Sequence, residues 1–232
     1  MLVNLQRDVR KLENKKKAKI LAGFFKTGEG EYGFGDVFLG ISVPQSRKIA
    51  IKYKDLGFDG ILKLLRSEIH EERLIALLIL VHQFQHEEML ERRIYEFYLK
   101  NTKFINNWDL VDLSSPNIVG DFLINKDKRI LYRLAVSENL WEKRISILAC
   151  FAFIRNNKFK DALNISEILL NDKHDLIHKA VGWMLREIGK RNLGVEEHFL
   201  QKHYKKMPRT MLRYAIEKFD EEKRKEFLRR YF

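Results

Sequence analysis

Apolar residues recur along this chain at intervals of three and four. Leu74, Leu77, Leu78 and Val81 follow that period, as do Ile145, Leu148, Ala149 and Ala152, whereas strand-like alternation is almost absent. The pattern predicts helices over roughly 4–25, 44–56, 59–66, 70–86, 88–100, 106–113, 116–124, 127–136, 139–155, 159–170, 174–191, 195–206 and 209–230. Breakers are sparse, with three prolines in the chain and five of the twelve glycines gathered between Gly28 and Gly40. The expected fold is therefore all-α, a single domain over 1–232 interrupted by a glycine-rich loop at 27–40.

Several of these helices open with a basic residue and then turn apolar: ERLIALLIL, EKRISILACF, HKAVGWMLR and RTMLRYAIEKF. Their anchors are evenly spaced. Arg73 to Arg144 is 71 residues, Arg144 to Lys179 is 35 and Lys179 to Arg213 is 34, so the first gap holds two periods, and WDLVDLSSPNIVG falls halfway across it. Two helices per period of this length is the range of helical solenoids, in which each pair buries its apolar face against its neighbours. An irregular helical bundle with coincidental spacing is the competing reading.

Charge narrows the class of partner. Forty-four Lys and Arg against thirty-two Asp and Glu leave the chain at +12, which points to a polyanion more than to a neutral metabolite. Residues 1–26 carry eight basic and two acidic residues and residues 201–232 carry eleven and five, so each end is +6 and the middle is balanced. The longest apolar run, Leu74 to Val81, is eight residues, against about 20 for a membrane span. The first residues, MLVNLQRDVRKLENKKKAK, contain no uncharged apolar core of the secretory kind, and Cys150 is the lone cysteine. The expectation is a cytoplasmic, reducing location with no membrane and no metal.

Two segments carry candidate chemistry. In NNWDLVDLSSP, Trp108 and Asp112 lie four residues apart, so an indole and a carboxylate point from one helix face. A core tryptophan with a solvated acidic cap is the plainer alternative. In HKAVGWMLREIGK, Lys179 lies four before Trp183 and Arg186 three after, which sets an aromatic ring in a basic stripe. Arg144 opens the helix WEKRISIL.

WDLVD, then SENLWEKRISIL, then HKAVGWMLREIGK, in that order and spacing, resemble the AlkD-type DNA alkylation repair glycosylases. FLGISVPQSRKIA resembles that family's lead into its third helix. The resemblance covers nearly the whole chain. It implies a right-handed superhelical solenoid of HEAT-like repeats, holding duplex DNA in a concave basic groove and cleaving the glycosidic bond of N3- or N7-alkylated purines. It assigns the catalytic carboxylate to Asp112, the sugar-facing indoles to Trp108 and Trp183, and the active-site arginine to Arg144. No cofactor is implied, and a monomer is expected, nucleoid-associated when bound to DNA. Lys179, Arg186 and Arg213 are expected to hold the DNA backbone further along. Two positions depart from the resemblance: Phe24 and Ser42 stand where members tend to carry Tyr and Gln, at places expected to approach DNA, and the 27–40 segment is longer and richer in glycine. A non-catalytic module for damaged or branched DNA, and a protein-binding solenoid, are the alternative functions.

Other motifs carry less. Gly28, Gly30 and Gly33 match G-x-G-x-x-G, but after a helix and not a strand, so a mobile loop with Tyr32 or Phe34 facing the lesion is the better reading. His82 and His86 have a metal-compatible spacing without an evident third ligand. Lys15, Lys16 and Lys17 read equally as a DNA contact or a solvated face, and Cys150 as core.

Overall fold

The structure, a computed structural model, describes residues 1–229. Among these residues every named element is helical, and the one strand-like contact is an isolated parallel bridge between Val37 and Ile69. The helices group into two compact units, residues 1–114 and 115–232.

Unit 1 holds α1 (Leu2–Arg10), α2 (Lys15–Phe24), α3 (Val43–Lys52), α4 (Phe58–Leu65), α5 (His70–His86) and α6 (Glu91–Lys100), and α7 (Trp108–Ser115) closes it. α5 is its axis. Every residue from His70 to Leu80 is buried, so this helix has no solvated stripe in its first three turns, and α3 and α4 pack on it. One expected helix, 4–25, is two. Asn14 adopts an extended backbone and its side chain accepts from the Lys17 N–H at 3.0 Å, while its own N–H donates to the Leu39 carbonyl at 2.8 Å. An asparagine cap satisfies a helix start better than it continues one.

Unit 2 opens with a π-helical turn, Pro116–Gly120, and a single turn α8 (Asp121–Leu123), where one helix over 116–124 is expected. Proline has no N–H to donate back, so the ladder widens at this point. Gly120 allows the turn to press on α10, since a Cβ there would overlap the Ala149 carbonyl. The rest comprises α9 (Arg129–Ala135), α10 (Leu140–Arg155), α11 (Lys160–Ile168), α12 (Asp175–Gly189), α13 (Leu193–His203), α14 (Arg209–Ala215) and α15 (Glu221–Arg229). α10 is the buried axis here, and α12 packs between α10 and α14. The expected helix 209–230 breaks at Phe219, after which Asp220 caps α15 by accepting from the Lys223 N–H at 2.9 Å. Its expected last residue, Arg230, lies outside the described residues. No helix of the described residues is long and apolar enough to cross a membrane.

The repeat shows in register. Arg73, Arg144, Lys179 and Arg213 stand at the fourth or fifth residue of α5, α10, α12 and α14. Asp112 is the fifth residue of α7, so a carboxylate occupies the position where the other helices place a cation.

Glu196 of α13 is a strained point in unit 2. It is buried against Gly189, and its Oε1 has no hydrogen-bond partner. Burial pushes its carboxyl up to about 8, with help from the like charge of Glu197 and against Arg186. A raised carboxyl supports the fold fully below its ordinary 4.5 and withdraws that support as pH climbs through the raised value. Glu196→Gln should therefore be neutral below pH 4.5 and stabilising by on the order of 5 kcal/mol by pH 9. Denaturant unfolding at the two pH values measures this, and an equal effect at both would refute it.

Candidate nucleic-acid site

Asn107, the residue before α7, is fully buried. Its side-chain oxygen accepts from the Trp108 N–H at 2.8 Å and its carbonyl from the Val111 N–H at 3.2 Å. Trp108 and Asp112 are both half-buried on this helix, one turn apart. The Trp108 ring lies parallel on Phe25, centroids 5.1 Å apart and planes within 7°, and meets the edge of Phe24 at 5.9 Å. Phe25 continues into a ladder, stacked with Phe38 at 4.9 Å, which stacks with His70 at 4.5 Å. Offset ring pairs of this kind add about 0.5 to 1.5 kcal/mol each beyond buried area. Phe24 is 62% exposed beside Trp108, so the chain presents an apolar ring to solvent there.

The far end of the ladder is ionic. His70 Nδ1 lies 3.0 Å from Asp36 and Nε2 2.8 Å from Asp109, and all three side chains are buried. Arg73 donates to the other Asp36 oxygen at 2.5 Å and to the Ser67 carbonyl at 2.8 Å, and Asn107 Nδ2 donates to Asp36 at 3.2 Å. Burial works against the imidazolium, but hydrogen bonds to Asp109 and Asp36 outweigh it and raise the His70 pKa above its ordinary 6.5. Burial also opposes the Asp36 carboxylate, and His70 and Arg73 overcome it to hold Asp36 below its ordinary value.

The glycine-rich segment that delivers Asp36 is fastened at its end. Buried Glu71 accepts the N–H groups of Leu39, Gly40 and Ile41 at 2.8 to 3.1 Å. Gly40 has φ +83° and a Cβ there would overlap the Asn14 carbonyl, so no other residue fits without strain. Its earlier part is a run of turns with Gly30 and Gly35 at positive φ, and Phe34 is 66% exposed. Ser42, the other departure, caps α3: the Gln45 side-chain oxygen accepts from its N–H at 3.0 Å and its hydroxyl at 2.7 Å. It also lines a cavity of about 290 Å³, with Ile20, Phe25, Phe38 and His70.

Unit 2 carries the remaining expected residues. Arg144 is 5% exposed and donates to the Leu176 carbonyl at 2.6 Å. Trp183 is half-buried, with Phe151 at 6.0 Å and its indole N–H donating to Glu187 at 3.1 Å. Lys179 pairs with Asp175 at 2.6 Å and Arg186 with Glu217. Arg213 is exposed on α14. The stripe around Trp183 is thus an alternation of cations with carboxylates. Elsewhere, the His82 and His86 rings stack at 4.1 Å. Among the described residues no three His, Cys, Asp or Glu side chains gather as a metal site requires. Cys150 is buried, and burial pushes its thiol well above its ordinary range.

His70, Asp36 and Phe25 escape sequence reasoning, and Arg73 is visible there only as a repeat anchor. Asp109 is visible inside WDLVD, but nothing in the spacing links it to a histidine 39 residues earlier.

A family model described as DNA alkylation repair enzyme matches residues 5–219, reaching across both units, and the chain belongs to that family. Among solved structures, a predicted DNA alkylation repair enzyme from Enterococcus faecalis superposes with a TM-score of 0.67 at 15% identity, covering 90% of this chain and 97% of that one. AlkD2 from Streptococcus mutans gives 0.56 at 19% identity, covering 89% and 99%. These two share the all-helical fold. No curated protein matches the chain.

Phe25→Ala should cost about 3 to 5 kcal/mol of unfolding free energy and shift Trp108 emission to the red by uncovering one indole face. Chemical denaturation and fluorescence check both, and an unchanged emission would break the stacking assignment.

Proposed function

We propose that this DNA alkylation repair enzyme is a monofunctional glycosylase that hydrolyses the N-glycosidic bond of cationic N3- or N7-alkylated purines in duplex DNA, leaving an abasic site. The observation that carries the reading is Asp112. It shares a helix face with a fixed indole, and it stands in the register position that α5, α10, α12 and α14 give to a cation.

The chemistry asks for one carboxylate. Alkylation at N3 or N7 leaves the purine positively charged and already a good leaving group, so the acid of the usual glycosidase pair is unnecessary. What needs stabilising is the positive character that develops on the deoxyribose as the bond to C1′ lengthens. Asp112 faces that charge and orients the attacking water, which adds to C1′ and gives up a proton while the base leaves with the bonding pair. Trp108 presents a ring face to the cationic sugar and base, worth about 0.5 to 2 kcal/mol, and favours a charged lesion over neutral guanine. Its backing by Phe25 holds the indole in place without substrate, which lowers the ordering cost of binding.

The roles in unit 2 come from the resemblance. Trp183 supplies a second ring face. Arg144, pinned through the Leu176 carbonyl, grips a phosphate next to the lesion, and Lys179, Arg186 and Arg213 hold backbone further along. Phe24 and Ser42 approach the DNA with less hydrogen-bonding capacity than a Tyr and a Gln would. No lysine is assigned as a Schiff-base nucleophile, so strand cleavage does not accompany excision. The enzyme works as a single chain inside the cell, without metal.

Release of free base from duplex DNA carrying N3- and N7-methylpurines, in buffer with chelator, tests the proposal. Wild type should release base, and Asp112→Asn should lose release by at least a hundredfold while binding DNA as tightly or more so. Absence of release by either, with binding that weakens steeply as salt rises, would replace the enzyme by a DNA-binding module.

A further inference from the structure

We infer that His70 is a positioning residue, whose doubly hydrogen-bonded imidazolium sets the place of Trp108 and Asp112 on α7. The argument begins with valence. A neutral imidazole has one N–H, and its other nitrogen carries a lone pair. Here each ring nitrogen meets a carboxylate oxygen, Asp36 at 3.0 Å and Asp109 at 2.8 Å, so only the protonated ring satisfies both. Either neutral tautomer turns a lone pair toward a carboxylate. The side chains of His70, Asp36 and Asp109 are 2%, 4% and 8% exposed, so water does not replace the lost partner, and a buried carboxylate without one is costly.

Both partners attach to the first turn of α7. Asp109 is the residue after Trp108, and its other oxygen accepts from the Leu110 N–H at 2.8 Å. Asp36 accepts from Asn107, whose side-chain oxygen holds the Trp108 N–H. The ring ladder from His70 through Phe38 and Phe25 adds a third route to the same indole. Loss of the His70 proton therefore loosens the turn that carries Trp108 and leads into Asp112.

The charged groups facing His70 are Asp36 from the glycine-rich segment, Asp109 from α7 and Arg73 from its own helix; Phe25 and Phe38 present apolar faces. The carboxylates raise its pKa and Arg73 opposes them. A histidine with a raised folded-state value supports the fold in full below its ordinary 6.5 and loses that support as pH climbs through the raised value. The loosening thus belongs above pH 6.5 and not below it.

The consequence for excision rests on the glycosylase reading, whereas the link between His70 and Trp108 does not. The test is a pH titration of the intact protein from 6 to 10 with three readouts: the His70 imidazole resonance, assigned against His70→Gln, Trp108 emission taken as the difference from Trp108→Phe, and single-turnover base release. The expected result is one shared midpoint above 6.5. Trp108 emission shifts there, and the excision rate falls at least tenfold with little change in substrate affinity. His70→Gln should abolish the transition in emission and lower excision at every pH. Should that variant fail to fold, the wild-type titration of resonance against emission decides alone. An imidazole that titrates while Trp108 emission stays flat would overturn the inference, as would a ring already neutral at pH 6.5. Coupled titration without excision at any pH would uphold it and sink the glycosylase reading.

Discussion

The imidazole of His70 is where segments far apart in the chain are made to agree. It is the first residue of α5, the buried axis of unit 1, and it meets Asp36 from the glycine-rich segment on one side and Asp109 from α7 on the other. Arg73, a turn later, completes the charge balance around Asp36. Buried charges are tolerated when they are paired and hydrogen-bonded, and here each of the four groups faces an opposite charge, although Arg73 Nε is left without a hydrogen-bond partner. Glu71, between His70 and Arg73 in sequence, fastens the backbone at 39–41 by its carboxylate. One turn of α5 thus orders both the loop and the helix that presents Trp108.

This arrangement explains why a segment with five glycines is structured at its end. Glycine is required at 40 by a positive φ and by the approach to Asn14, not to provide slack. It also explains how an indole half open to solvent keeps its orientation. Trp108 is backed by Phe25, and its backbone N–H is held by Asn107, so the indole is fixed by the protein's own contacts.

The cations at the repeat position do not form a uniform set. Arg73 and Arg144 are buried and bonded to carbonyls, Lys179 pairs with a carboxylate one turn earlier, and Arg213 is exposed. The regular spacing therefore records a repeated position in the fold, at which the cations differ in burial and in partner. At the same position in α7 stands Asp112, which reverses the sign of the slot.

The sequence by itself determined what depends on neighbours three and four residues apart: the helical class, the pairing of Trp108 with Asp112 on one face, and the spacing of the basic anchors. The motifs around Trp108, Arg144 and Trp183 also carried the family, because their order and distance survive in the linear chain. At Asn14 and Asp220 the helical period runs on and predicts a helix through each, but a capping bond breaks it there. Only the tertiary structure decided that His70 sits between Asp36 and Asp109, that Phe25 backs Trp108, and that Arg186 beside Trp183 pairs with Glu217. These contacts join residues tens of positions apart, and closing such loops follows from packing around α5 and α12, which no periodicity in the sequence records.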